Sequence, residues 1–275
     1  MKIMICTDGS AGSVQSAELV AKFSFPVDTS ITVFGVSEHQ DDSAKLTASM
    51  ILIDKALEGK YKLDTIIRRG DPIEEIIAEA LKTSYDLVAV GGGGGQLGLL
   101  HPVLGSTTSK LARKLHTHFL VTRDVPDKIL NALICIGAET PSNLTMKLGG
   151  KWLSNTAAKV SLLHVIPRIT GTTEIRTNPN MEPKVSLSQT NQFTDPLLDQ
   201  AIQLLRSAGF NNQINTQVRQ GLVVDEVIKE LSMGNYALLV VGAHYQPGQD
   251  RWQGTLLDDV TDQLLSHSAR SVLII

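Results

Sequence analysis

The chain contains an internal repeat, which restricts it to two copies of one strand–helix unit. Ile5-Cys6, in the apolar run 2–7, matches Ile134-Cys135 in the run 132–136, 129 positions later. The same offset relates Val33-Phe34-Gly35-Val36 to Leu162-Leu163-His164-Val165. Further on, residues 69–77 (RGDPIEEII) match 220–228 (QGLVVDEVI), and 85–91 (YDLVAVG) match 236–242 (YALLVVG). These later matches stand 151 positions apart, so the second copy carries extra chain after its second strand. Residues 167–196 supply it. They are rich in Thr, Asn, Pro and Ser and lack helical periodicity, which is loop chemistry.

Within the first copy, short apolar runs alternate with amphipathic ones. Strands are expected at 2–6, 31–36, 63–68, 87–90 and 119–122, and helices at 13–23, 45–57, 71–81 and 107–116. Asp71-Pro72 opens the third helix, where proline's missing N–H costs nothing. Apolar strands separated by helices imply a parallel sheet covered on both faces. The second copy follows the same order and ends on Ser271-Val272-Leu273-Ile274-Ile275. Two domains are expected, 1–126 and 127–275.

The most informative local stretch is 91–106, GGGGGQLGLLHPVLGS, between the strand 87–90 and the helix 107–116. Glycine lets backbone approach a ligand closely, and a helix N-terminus attracts anions. Gly93, Gly95 and Gly98 satisfy G-x-G-x-x-G literally, but five adjacent glycines make that match cheap. A dinucleotide site also needs an acidic residue about 20 positions on, and 114–122 holds none. No Gly-Lys-Ser/Thr occurs, so a P-loop is excluded. A plain flexible turn remains the alternative. The longer spacing Gly92-x2-Gly95-x9-Gly105-Ser106 is more specific.

With Thr7-Asp8-Gly9-Ser10 after the first strand, the Gly70-Asp71-Pro72 turn and Leu163-His164-Val165, this spacing resembles the universal stress protein family in its tandem form. The resemblance covers nearly the whole chain outside 167–196. It implies two open parallel α/β sheets of five strands, adenine nucleotide alpha hydrolase-like, packed as a pseudo-dimer. ATP would bind outside the strand C-terminal ends, the usual place in such sheets. By resemblance Asp8 contacts the adenosine, Thr7 and Gly9 shape the turn around it, and Val36 packs on adenine. Gly92 and Gly95 bring backbone N–H groups to the phosphates, and Gly105, Ser106 and Thr107 receive them at the helix start. The family has one glycine after the strand where this chain has Gly91 and Gly92, so either takes the first position. Asp8 and Ser106 are equally explained as helix caps, and Val36 as core.

The second copy retains the pattern of elements and loses the site. Gly137 stands where Asp8 should be, and Tyr245 where the second glycine should be. One competent site is therefore expected, in the first domain, holding ATP, ADP or AMP with Mg²⁺ carried on the phosphates. An interaction scaffold or a slow ATPase are the alternatives, since no base is aimed at a water near the phosphates. The resemblance also implies pairing through the last strands, which a tandem chain can make internally between 119–122 and 272–275; that would hide two apolar edges, and homodimerisation stays open. A net charge of -3 and 4% aromatic residues argue against nucleic acid as partner. No run is long enough to span a bilayer, no signal-peptide pattern starts the chain, and two cysteines form no disulfide framework. A cytoplasmic protein is expected.

Overall fold

The computed structural model describes residues 1–38, 42–92, 106–137, 143–167, 195–243 and 259–275. The first half runs β1 (Lys2–Thr7), α1 (Ala11–Val20), β2 (Ser30–Ser37), α2 (Asp42–Ala56) and β3 (Lys62–Arg69). It continues through α3 (Pro72–Thr83), β4 (Leu87–Gly91), α4 (Ser106–Lys114) and β5 (His118–Thr122). The second half repeats the order as β6 (Asn131–Ile136), α5 (Asn143–Leu153), β7 (Lys159–Pro167), α6 (Pro196–Ser207) and β8 (Ile214–Gly221). It closes with α7 (Val223–Met233), β9 (Leu238–Val241), α8 (Asp259–His267) and β10 (Ser271–Ile274). All four helices expected in the first half are present, with ends displaced by a few residues. The first starts at Ala11 rather than residue 13, because the turn at Asp8–Ser10 hands directly into it.

The ten strands form one sheet, in the order β3-β2-β1-β4-β5-β10-β9-β6-β7-β8. Every pairing within a half is parallel. Among the described residues the single antiparallel pairing joins the halves, with Phe119 opposite Ile274, Leu120 opposite Leu273 and Val121 opposite Val272. Two apolar strands that would each be an unpaired edge thus satisfy one another's backbone groups. The two five-stranded sheets expected from the repeat are therefore continuous, related by a pseudo-twofold axis at Leu120 and Leu273.

Side-chain alternation along the strands divides the core in two. Ile3, Ile5, Ile31, Val33, Leu87 and Ala89 face one layer, which α1, α2, α5 and α6 cover with Ala17, Ile53, Trp152 and Leu205 among others. Met4, Cys6, Phe34, Val36, Val88 and Val90 face the other, covered by α3, α4, α7 and α8. The covering of both faces explains why β1, β4 and β9 are buried almost end to end. Asp71 caps α3 by accepting from the amides of Ile73 and Glu74 at 2.9 and 3.0 Å, with Pro72 in the first turn as its sequence indicated.

One polar cluster recurs in both halves at the same 151-residue spacing. Arg68 on β3 pairs with Glu79 and Glu75 of α3, while Glu79 also accepts from Thr83 at 2.8 Å and Tyr85 at 3.3 Å. Arg219 on β8 likewise pairs with Glu230 and Glu226 of α7, and Tyr236 donates to Glu230 at 2.6 Å. Each cluster ties an outer strand to the helix above it and satisfies a buried carboxylate.

Candidate functional site

The strand order places β1 between β2 and β4, so the ends of all three meet at one edge. Thr7 is level with Gly35 on β2, and Gly91 ends β4 beside Thr122 of β5. Thr7, Asp8, Gly9, Val36, Gly91 and Gly92 therefore lie together at this edge. Gly95 and Gly105 are outside the described residues. Ser106 is the first residue of α4, and Thr107 follows it, exposed.

A hydroxyl network builds the turn after β1. Thr7 is buried, and its Oγ1 donates to Ser13 Oγ at 3.0 Å, lies 2.8 Å from Ser49 Oγ and accepts from the Gly9 amide at 3.0 Å. One side chain thus links β1 to both α1 and α2. Asp8 is exposed, and its Oδ1 accepts from the Ser10 amide at 2.9 Å and Ser13 Oγ at 3.2 Å. That is an Asx turn leading into the helix. The helix cap itself is Ser10, so Asp8 is not the N-cap. Desolvation at the strand end pushes the Asp8 carboxyl up, but the hydrogen bonds from Ser10 and Ser13 outweigh this and hold it below its ordinary value. Asp8 is thus an oriented, ionised acceptor at neutral pH.

Gly9 has φ +79°, in the region only glycine enters cheaply, and the aliphatic stem of Lys45 from α2 lies across it. Ser13, Ser49 and Lys45 do not follow from the motif. Ser13 was readable as a hydroxyl one turn into the helix, but Ser49 and Lys45 reach the site only because α2 packs beside α1.

The two leading glycines have packing reasons. A Cβ on Gly91 would meet the backbone of Gly12 in α1 at 2.6 Å. A Cβ on Gly92 would meet Arg123 Cγ at 2.7 Å and Thr122 O at 2.8 Å. The Gly92 amide donates to Thr122 O at 2.8 Å. That bond extends the β4–β5 ladder by one residue, so the Gly92 amide itself is engaged by β5. Val36 is 8% exposed and packs with Cys6 and Val90, so its side chain belongs to the core beneath the edge. Thr122 Oγ1, buried beside Gly91, has no hydrogen-bond partner among the described residues.

The matching edge of the second half carries different chemistry. His164 occupies the place of Gly35, level with Ile136 on β6. Its Nδ1 lies 2.5 Å from Asp195 Oδ2, and Asp195 caps α6 through the Leu197 amide at 3.0 Å. Burial pushes the Asp195 carboxyl up, and its bonds to His164 and the Leu197 amide bring it below its ordinary value. Among the described residues no group of three or more His, Cys, Asp or Glu could hold a metal ion. Burial pushes the Cys6 and Cys135 thiols up to about 12. No helix among the described residues is long and apolar enough to cross a membrane.

A duplicated open α/β sheet with an oriented carboxylate and a glycine run at its strand ends defines a fold class whose ligands bind at that edge. The sequence model of the universal stress protein family matches residues 1–123. The match is confined to this first half, and the second half repeats the same order of strands and helices. The structure is similar to that of a universal stress protein from Archaeoglobus fulgidus, with 14% identity, a TM-score of 0.67, and coverage of 99% of this chain and 97% of that one. A protein of Pseudomonas aeruginosa assigned to the same family is 14% identical with a TM-score of 0.66, over 100% of this chain and 92% of that one. These likenesses establish the fold over both halves. No curated protein matches the sequence.

Proposed function

We propose that the chain is an adenine-nucleotide-binding stress or signalling protein of the cytoplasm, with one competent site in a first domain spanning 1–126. The observation that carries this reading is Asp8. Its carboxylate is fixed by Ser10 and Ser13 at the C-terminal end of β1, beside the glycine run, in the half that matches the family. Asp8 would accept hydrogen bonds from the nucleoside. Thr107 and the α4 N-terminus would take the phosphates, together with Ser106, Gly105 and Gly95. ATP is the favoured ligand, with ADP or AMP as alternatives and Mg²⁺ carried on the phosphates. The second domain, 127–275, has a buried His164–Asp195 pair and Gly137 in the corresponding places and would bind ATP weakly or not at all.

The packing roles of Gly91 and Gly92 favour a second reading, an interaction scaffold in which the glycines serve only the fold. Titration calorimetry with ATP separates the two. Wild type is expected to bind with one site per chain, and Asp8→Ala to bind at least about tenfold more weakly, the loss of one or two hydrogen bonds to a charged acceptor. Absence of heat in wild type, together with no nucleotide released from the denatured protein, supports the scaffold. Two equal sites per chain would refute the single-site assignment.

A further inference from the structure

The buried guanidinium at the junction of the halves has no role in the reading above. Arg123 follows β5 and is 9% exposed. Its Nη1 donates to Ser268 O at 2.6 Å and its Nη2 to Leu265 O at 2.8 Å. Both acceptors are carbonyls at the C-terminal end of α8, in the second half. The Arg123 amide donates to Ser271 Oγ at 2.9 Å, and that hydroxyl donates back to Arg123 O at 2.5 Å. Among the described residues no carboxylate lies within ion-pair distance of it. The charge rests instead on the negative end of a helix dipole and its unpaired carbonyls.

The same side chain also borders the candidate site. Its stem runs past Gly92, so close that a methyl there would lie 2.7 Å from Cγ and 3.2 Å from Nε. Gly92 is in turn bonded to Thr122, the residue before Arg123. Arg123 therefore has one end against the point where the glycine run leaves β4 and the other in the last turn of α8. A free arginine side chain would sample many rotamers. Here the two carbonyls fix the guanidinium, and the fixed stem sets the space in which Gly92 turns. The second half, which has lost Asp8's equivalent, supplies those carbonyls.

We propose that Arg123 is a positioning residue for the nucleotide edge, clamped by α8, through which the second half sets the affinity of the first. The proposal rests on the nucleotide reading above. Coupling of this kind is reciprocal, so a ligand held at the edge must also steady α8.

The test uses the full chain with ATP as probe, in wild type, Arg123→Lys and Arg123→Met. Lysine keeps the charge and much of the stem but replaces the planar fork, whose two nitrogens each reach one carbonyl, with donors on a single nitrogen. It also keeps the experiment readable if methionine prevents folding. Arg270→Ala is the control, since it breaks another contact between the halves, the exposed ion pair with Asp124, neither of whose residues supplies the atoms nearest Gly92. The expected result is a Kd raised about tenfold in Arg123→Lys, within the usual range of coupling between sites, and unchanged in Arg270→Ala. Hydrogen exchange at residues 264–268 should slow on adding ATP to wild type and not in Arg123→Lys. Exchange at the end of α7, residues 231–233, should not respond in either. A wild-type Kd retained in Arg123→Lys, or an α8 that ignores ATP in wild type, overturns the coupling alone. Failure of wild type to bind ATP overturns the nucleotide reading and the coupling with it.

Discussion

Replacing Gly91 by alanine tests whether packing or ligand approach demands the first glycine of the run. The new methyl would lie 2.6 Å from the carbonyl carbon of Gly12, 2.8 Å from its oxygen and 3.0 Å from the Ser13 nitrogen. Favourable carbon contacts begin near about 3.5 Å, so α1 must retreat from β4 by roughly 0.5–1 Å. Overpacking of a close-packed core typically costs about 1–3 kcal/mol. The obstacle here is backbone rather than a flexible side chain, which places the cost near the top, about 3 kcal/mol. For a chain of this size that lowers Tm by roughly 6–12 °C. The opposite wall gives the contrast. A methyl on Gly12 would meet Ser10 Oγ at 3.6 Å and Gly91 Cα at 3.7 Å, both ordinary contacts. Gly12→Ala should therefore gain helix propensity, up to about 0.5–1 kcal/mol, and raise Tm slightly. Circular dichroism melts of the three proteins in one buffer decide the matter. A Gly91→Ala protein melting within about 1 °C of wild type would refute the packing account. So would a Gly12→Ala protein that falls as far as Gly91→Ala. Because Ser13 moves with the displaced turn and holds Asp8, Gly91→Ala should also weaken the nucleotide binding proposed above.

Two further outcomes follow from the polar groups. Arg68→Met leaves Glu79, whose side chain is 4% exposed, without its cation and should cost about 2–4 kcal/mol; the exposure of Arg68 discounts the upper end. Arg219→Met should cost a similar amount through Glu230, and unchanged urea midpoints in both variants would contradict this. His118 lies at the start of β5 with its ring 5.9 Å from that of Trp152. Burial holds its pKa below the ordinary value, against a small opposing pull from Asp86. The unfolded chain therefore takes up this proton first as pH falls through about 6.5, and stability drops with it until the folded pKa is reached. Wild type should lose more Tm than His118→Gln between pH 7.5 and 5.5; equal losses would show that His118 contributes nothing.

The periodicity and the 129 and 151 offsets sufficed for the alternation of strands and helices and for the duplication; the pairing of 119–122 with 272–275 was implied by the family resemblance, and its antiparallel sense came from the structure. The alternation and the duplication rest on local spacing, which is written along the chain. The Arg68–Glu79 and Arg219–Glu230 clusters were also open to the offset of 151, since each member recurs at that distance. Thr7, Asp8 and Gly9 were singled out by their resemblance to the family's motif, and a turn after a parallel strand lies at the sheet edge where ligands bind.

What tertiary structure alone decided is how those positions are used. Gly91 faces α1, and Gly92 gives its amide to Thr122, because neighbouring strands and helices approach there; nothing local in a run of five glycines distinguishes the two. Ser49 and Lys45 join the Asp8 turn from α2, more than 35 positions away, and Arg123 reaches α8 across some 140 residues. Such contacts depend on which helix packs against which strand. A sequence specifies that through the summed burial of the whole core, which no single motif contains.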